Sequence, residues 1–181
     1  ILPLKNHQSI SSIMPFPDEN VDTKGMHIIF ATAKGKIRKN NLEDFSSINQ
    51  SGKIAMKLDS DDKIIGVKIC KDDQDIILST KFGKCIRFES KKLRVFKGRS
   101  SKGIKGINLS EKDAIVSLSI IDHDQKIPKK SSKEGSSEVK AKEKFILSIT
   151  ENGYGKRTSH YDFRVTNSCL LYTSPSPRDG L

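Results

Sequence analysis

The chain has 181 residues, with 33 Lys and Arg against 22 Asp and Glu, for a formal net charge of +11. That excess points to a polyanionic partner, most simply nucleic acid. No apolar run approaches the roughly 18 residues a membrane span needs, and Cys70, Cys85 and Cys169 lack the CxxC spacing of a zinc site or the even count of a disulfide framework.

In chain order, "ILPLKNHQSI" opens the sequence without an initiator Met or a signal-peptide layout. The chain is therefore expected to begin inside a longer protein. Residues 1–25 read as the end of a preceding structural unit and a linker. From residue 26 onward the sequence repeats itself. "IIFATAKGKIRKNNL" begins at Ile28, "IILSTKFGKCIRFESKKL" at Ile76 and "FILSITENGYGKRTSHY" at Phe145. Each is an apolar run, a Thr, two residues, a Gly, and then a basic segment. The turn glycines Gly35 and Gly83 are 48 residues apart, and Gly83 and Gly153 are 70 apart. Residues 122–144 are rich in Ser, Lys and Glu and carry no periodicity. Removing about 22 of them restores the first spacing, so they read as a disordered insertion between strands.

A second element recurs within each unit. "QSGKIAMKL" ends at Leu58 and "SKGIKGINL" at Leu109, each followed by an acidic turn and an apolar run. In "KIAMKL", Ile54, Met56 and Leu58 alternate with Lys53, Ala55 and Lys57, the period of a half-buried strand. "LEDFSSI", residues 42–48, is the one place that suggests a helical turn. Asn152-Gly153 in "TENGYGKRT" predicts a tight hairpin with positive φ. Four short strands in about 48 residues have the dimensions of a propeller blade. The expectation is an all-β fold, with blades at 26–71 and 72–121, the insertion at 122–144, and the start of a further blade at 145–167. Residues 168–181, "SCLLYTSPSPRDGL", have no strand rhythm and read as a non-native tail.

The cations follow the repeat. Lys39, Arg87 and Arg157 stand four residues after the turn glycines, Arg38 and Lys156 three after, and Lys36 and Lys84 one after. Around a propeller axis they are expected to form a basic band facing outward; the alternative is that they only solubilise strand faces and protect edges. "LRVFKGRSSKGIKGI", residues 93–107, adds Arg94, Lys97, Arg99, Lys102 and Lys105 among three glycines, which suggests close phosphate approach or else a bulged strand. Base-reading motifs are absent, so contact with the duplex backbone, driven by counterion release, is the expected mode. No catalytic or metal-binding constellation stands out. Asp61-Asp62 and Asp72-Asp73 read as turn residues.

"FATAKGKIRKNNLEDF", "GKIAMKL", "IIGVKI", "GIKGINL" and above all "ILSITENGYGKRT" closely resemble blades of the C-terminal domain of bacterial DNA gyrase A, from about Ile1 to Asn167. The resemblance implies about three blades of a six-bladed β-pinwheel whose neighbouring blades exchange a strand. It implies a basic rim that wraps duplex DNA and presents it for strand passage in a type II topoisomerase that introduces negative supercoils. In that setting ATP and Mg2+ belong to the parent complex through gyrase B, and a second copy of gyrase A joins through a part this chain lacks. The setting is a bacterial cytoplasm, with the protein on the chromosome. The fragment itself is then non-catalytic and needs no cofactor. The family's Q-R-R-G-G-K-G box is not present, and "GRSSKGIKG" is at most a degenerate counterpart. The corresponding C-terminal domain of topoisomerase IV, and a propeller scaffold for acidic proteins, are the alternatives.

Overall fold

A computed structural model describes residues 9–18, 20–47, 52–98, 100–123 and 143–166. Most of the polar insertion, the 168–181 tail and Arg99 lie outside these residues. The described chain is all-β, its only helical pieces being short 3-10 turns.

The first sheet holds β1 (Met26–Thr32), β2 (Lys36–Asn41), β3 (Ile64–Lys71) and the two-residue β6 (Ile104–Lys105), in the order β3-β1-β2-β6. The second holds β4 (Gln74–Thr80), β5 (Cys85–Glu89) and β7 (Ile115–Asp122), in the order β5-β4-β7. The third is the hairpin of β8 (Phe145–Ile149) and β9 (Gly155–Ser159). All these pairings are antiparallel.

The recurrent Thr-x-x-Gly is a turn signature with a clear cause. The amides of Gly35, Gly83 and Gly153 donate to the carbonyls of Thr32, Thr80 and Thr150 at 3.0–3.1 Å. The same threonines' Oγ1 atoms accept from the amides of Lys36, Lys84 and Tyr154 at 3.1–3.2 Å. Each glycine sits at φ between +76° and +87°, the left-handed position that closes a three-residue hairpin with a bulge. Gly153 alone supplies the positive φ in "TENGYGKRT"; Asn152 does not.

After each second strand comes a 3-10 turn: Leu42–Phe45, Ser90–Lys92 and His160–Asp162. After the second and third of these turns the chain crosses to the preceding unit. Val95 forms a parallel bridge with Lys39, and Val165 forms one with Arg87. β6 completes the far edge of the first sheet although it belongs to the second unit. "KIAMKL" departs from expectation, because residues 52–58 form no strand and Ile54 is 75% exposed. A strand needs a ladder; β6 has β2, whereas residues 52–58 are tied by Lys57 N–H donating to Ser101 O.

The main core lies between the first two sheets. Ile29, Ala31 and Ile37 meet Ile76, Leu78, Ile86, Phe88, Ile107, Ile115 and Leu118 there. Ile28 and Phe30, on the other face of β1, join Leu42 and Met56 in a second cluster. β3 and β7 approach closely, as a Cβ on Gly66 would lie 3.0 Å from that of Leu118. The sheets thus converge at their β3 and β7 ends, and β6 lies at the opposite end.

Candidate nucleic-acid interface

The aligned cation column does not face outward in the first two units. Lys39 is 1% and Arg87 2% exposed. Position four after the turn glycine points toward the following unit, whose 3-10 turn closes over it. Lys39 Nζ donates to Asp72 Oδ1 at 2.5 Å and to Ser90 O at 3.1 Å. Arg87 Nε donates to Asp75 Oδ2 at 2.7 Å, and its Nη1 to the carbonyls of His160 (2.7 Å) and Phe163 (3.3 Å). Arg38, on the other face of β2, is also fully buried. Its Nε donates to Asn40 Oδ1 and its Nη1 to Ser101 O, and its guanidinium lies 5.1 Å from the Phe96 ring centre. These three residues are corrected from rim contacts to parts of the frame. Desolvating a cation is tolerated here because each gains a carboxylate, amide or carbonyl partner. Of the column, only Arg157 is exposed, its guanidinium 4.4 Å from the Phe145 ring centre. Lys156 beside it is exposed as well.

Two of the glycines in residues 98–106, Gly103 and Gly106, are packed against β2. A Cβ on Gly103, which has φ +77°, would sit 2.5 Å from Ile37 O, and one on Gly106 would sit 2.9 Å from the Ile37 side chain. They let this segment press against β2, and Gly106 N–H donates to Gly35 O at 2.7 Å. The cations around them do reach solvent. Arg94, Lys97, Lys102 and Lys105 are exposed along the segment that edges the first sheet. The Arg94 guanidinium lies 4.2 Å from the Phe96 ring centre, which holds it partly in place. Lys36 and Lys102 share Asp59, whose carboxyl their hydrogen bonds pull down to about 2, Lys102 contributing more. Lys84 Nζ donates to Ser110 Oγ at 3.4 Å.

The structure adds one cation, Arg164, that lies further along the repeat than the positions next to the turn glycines. Carrying the turn-glycine register on through the 3-10 turns brings "SKKLRV" (90–95) over "HYDFRV" (160–165), so that Arg94 and Arg164 coincide. Both are exposed, and each precedes the valine that bridges to the neighbouring sheet. The "RV" shared after the second and third turns is the signal that finds them.

The acidic pairs are turn residues. Asp62 Oδ1 accepts the Lys34 and Lys63 amides, Asp61 pairs with Lys34, and Asp72 serves Lys39. Among the described residues, no group of three His, Cys, Asp or Glu could hold a metal ion, and no helix is long and apolar enough to cross a membrane.

The family described as "DNA gyrase C-terminal domain, beta-propeller" matches residues 27–71, 74–122 and 144–168. DNA gyrase A of Rickettsia conorii is 40% identical over 196 residues, covering 92% of this chain and 22% of that protein. The chain thus spans about a fifth of the length of the curated relatives it matches. Among solved structures, the C-terminal domain of DNA topoisomerase IV aligns with TM-score 0.73 at 21% identity, covering 95% of this chain and 47% of that one. A DNA gyrase A C-terminal domain aligns with TM-score 0.64 at 22% identity, covering 93% and 53%. Both support the fold.

Proposed function

The chain belongs to the family of DNA gyrase C-terminal β-propeller domains, and on that premise we propose that it binds the backbone of duplex DNA and bends it around its outer edge. It does so as the DNA-wrapping part of a gyrase A protein. The identity of 34–40% to gyrase A proteins over most of the sequence favours gyrase over topoisomerase IV. The observation that carries the reading is the placement of Arg94 and Arg164. They are exposed cations at the same position of successive units, each on a segment that crosses to the sheet before it. Lys97, Lys102 and Lys105 extend the first of these positions along the sheet edge, and Lys156 and Arg157 lie on the third hairpin. Lys36 and Lys84, half-buried at the first two hairpins, add positive charge to the interface.

Such an edge grips phosphates without reading bases. Each neutralised phosphate releases condensed counterions, and curvature across units bends the duplex. In the parent enzyme, the wrapped duplex is presented for strand passage, with ATP and Mg2+ handled by gyrase B and a second copy of gyrase A completing the assembly. That enzyme works in the bacterial cytoplasm, on the chromosome.

Fluorescence anisotropy of a labelled duplex, titrated at several KCl concentrations, tests the interface. Arg94→Ala with Arg164→Ala is expected to reduce the slope of log K against log salt by about 2. The loss should be the same for two unrelated sequences, with the melting profile retained. An unchanged slope removes both arginines from the interface.

A further inference from the structure

We propose that Asp59 is a built-in stand-in for a DNA phosphate, occupying an anion site formed by Lys36, Lys102 and Lys105. The proposal rests on the DNA-wrapping reading and deepens it. Lys36 and Lys105 are direct cross-strand partners in the β2–β6 pair, so their side chains leave the same face of the sheet. Like charges placed there repel unless an anion stands between or beside them. Asp59 supplies that anion, one carboxylate oxygen taking Lys36 and the other taking Lys102. Two oxygens on two ammonium groups is the arrangement in which a phosphodiester presents its two non-bridging oxygens.

The site keeps an excess of positive charge. It has three ammonium groups and one carboxylate, and Lys105 has no carboxylate partner among the described residues. Behind it, Arg38 leaves the same face of β2 two residues along, and its Nη2 is buried without a hydrogen-bond partner. The platform is fixed by packing: Gly103 and Gly106 press the segment bearing Lys102 and Lys105 against Ile37. The site is also open, with Lys36, Asp59 and Lys102 side chains 28%, 30% and 45% exposed. The carboxyl stays ionised across the physiological range, so it competes with an incoming phosphate at every working pH.

In the second unit Lys84 takes the place of Lys36, and Ser110, which takes that of Asp59, accepts from Lys84 Nζ at 3.4 Å.

The experiment compares the full chain with Asp59→Asn, using a labelled 40-base-pair duplex and, separately, short-chain inorganic polyphosphate. Asp59→Asn is expected to bind the duplex about three- to tenfold tighter at low salt, with the salt slope steeper by about 1. Adding Lys102→Gln to Asp59→Asn is expected to return both values toward wild type. Equal affinity and slope for wild type and Asp59→Asn, with the wild type binding duplex, overturns the inference and leaves DNA wrapping standing. A wild type that ignores duplex, with a gain for polyphosphate on Asp59→Asn, keeps the anion site and overturns the DNA reading. No gain on either probe overturns the site. Should Asp59→Asn unfold, Lys102→Gln alone is read instead. It must lower the duplex slope, and an unchanged slope overturns the site.

Discussion

One diagonal position on the first hairpin of each unit holds a cation, and the first two units solve it in opposite ways. In the second unit, Asp75 on β4 reaches Arg87 on β5 directly, both essentially without solvent, and His123 Nδ1 lies 2.7 Å from the other carboxylate oxygen. In the first unit, the residue matching Asp75 is His27, so a second basic group faces Lys39. Asp72 comes in from the β3–β4 turn to serve both, at 2.5 Å from Lys39 and 3.3 Å from His27, while remaining 61% exposed. Both devices hold the next unit's 3-10 turn, through Ser90 O in one case and His160 O in the other. The difference lies in where the compensating anion sits. A carboxylate built into the strand has no water to return to when its partner is lost, and one in a turn does.

Arg87→Ala should therefore have the largest effect on stability. It takes the guanidinium from a fully buried Asp75, leaving it the His123 contact, and also releases the carbonyls of His160 and Phe163. The expected cost is about 3–5 kcal/mol in urea unfolding, with amide-exchange protection lost across β9. Arg87→Lys should recover only part of this, because a single ammonium cannot serve a carboxylate and two carbonyls in the same geometry. A loss under about 1 kcal/mol would mean that the His123 contact satisfies Asp75 by itself, and the contrast with the first unit would collapse.

This contrast also shows why the turns could be read from sequence and the cation column could not. Thr32, Thr80 and Thr150, with Gly35, Gly83 and Gly153, carry local chemistry: a side-chain oxygen accepting an amide four residues on, and a left-handed glycine. Such bonds close within five residues and look the same wherever the unit sits. The fate of Lys39 or Arg87 depends on a segment about 50 or 75 residues later in the chain folding back over it. In a repeat array, a recurring column marks an equivalent environment, and that environment is as readily the neighbour's backbone as solvent. The exposed Arg164 is legible in the sequence once the hairpin-glycine register is carried past the 3-10 turn, where it meets Arg94. "KIAMKL" has strand periodicity and forms no strand, since periodicity describes a face and says nothing about the ladder that must pair with it.

Lys39→Met should have a smaller effect. The methionine refills most of the buried volume, and Asp72 is already largely hydrated. The expected change is within about 1 kcal/mol in either direction, because exchanging a buried ion-pair partner for an apolar group of similar size is often near neutral. A loss as large as that of Arg87→Ala would show that the Ser90 carbonyl contact, rather than the carboxylate, dominates the junction.

The smallest expected effect is a pH dependence confined to the first unit. Burial, and after it the charge of Lys39, push the His27 pKa below its ordinary value, outweighing the opposite pull of Asp72. A group whose pKa is lower in the folded chain takes up its proton more readily when unfolded. Its contribution to stability is therefore complete above the ordinary histidine range, near pH 6.5, and is lost as the pH falls toward the folded value. Asp72, itself held below the usual carboxylate range chiefly by the hydrogen bond from Lys39, adds a further loss at more acidic pH, with the same sign. His27→Asn should flatten the urea midpoint between pH 7 and pH 5 while leaving the steeper acid limb in place. A midpoint that falls equally in wild type and variant over that interval would place the titrating group elsewhere, and His27 would then be only a packed ring beside Lys39.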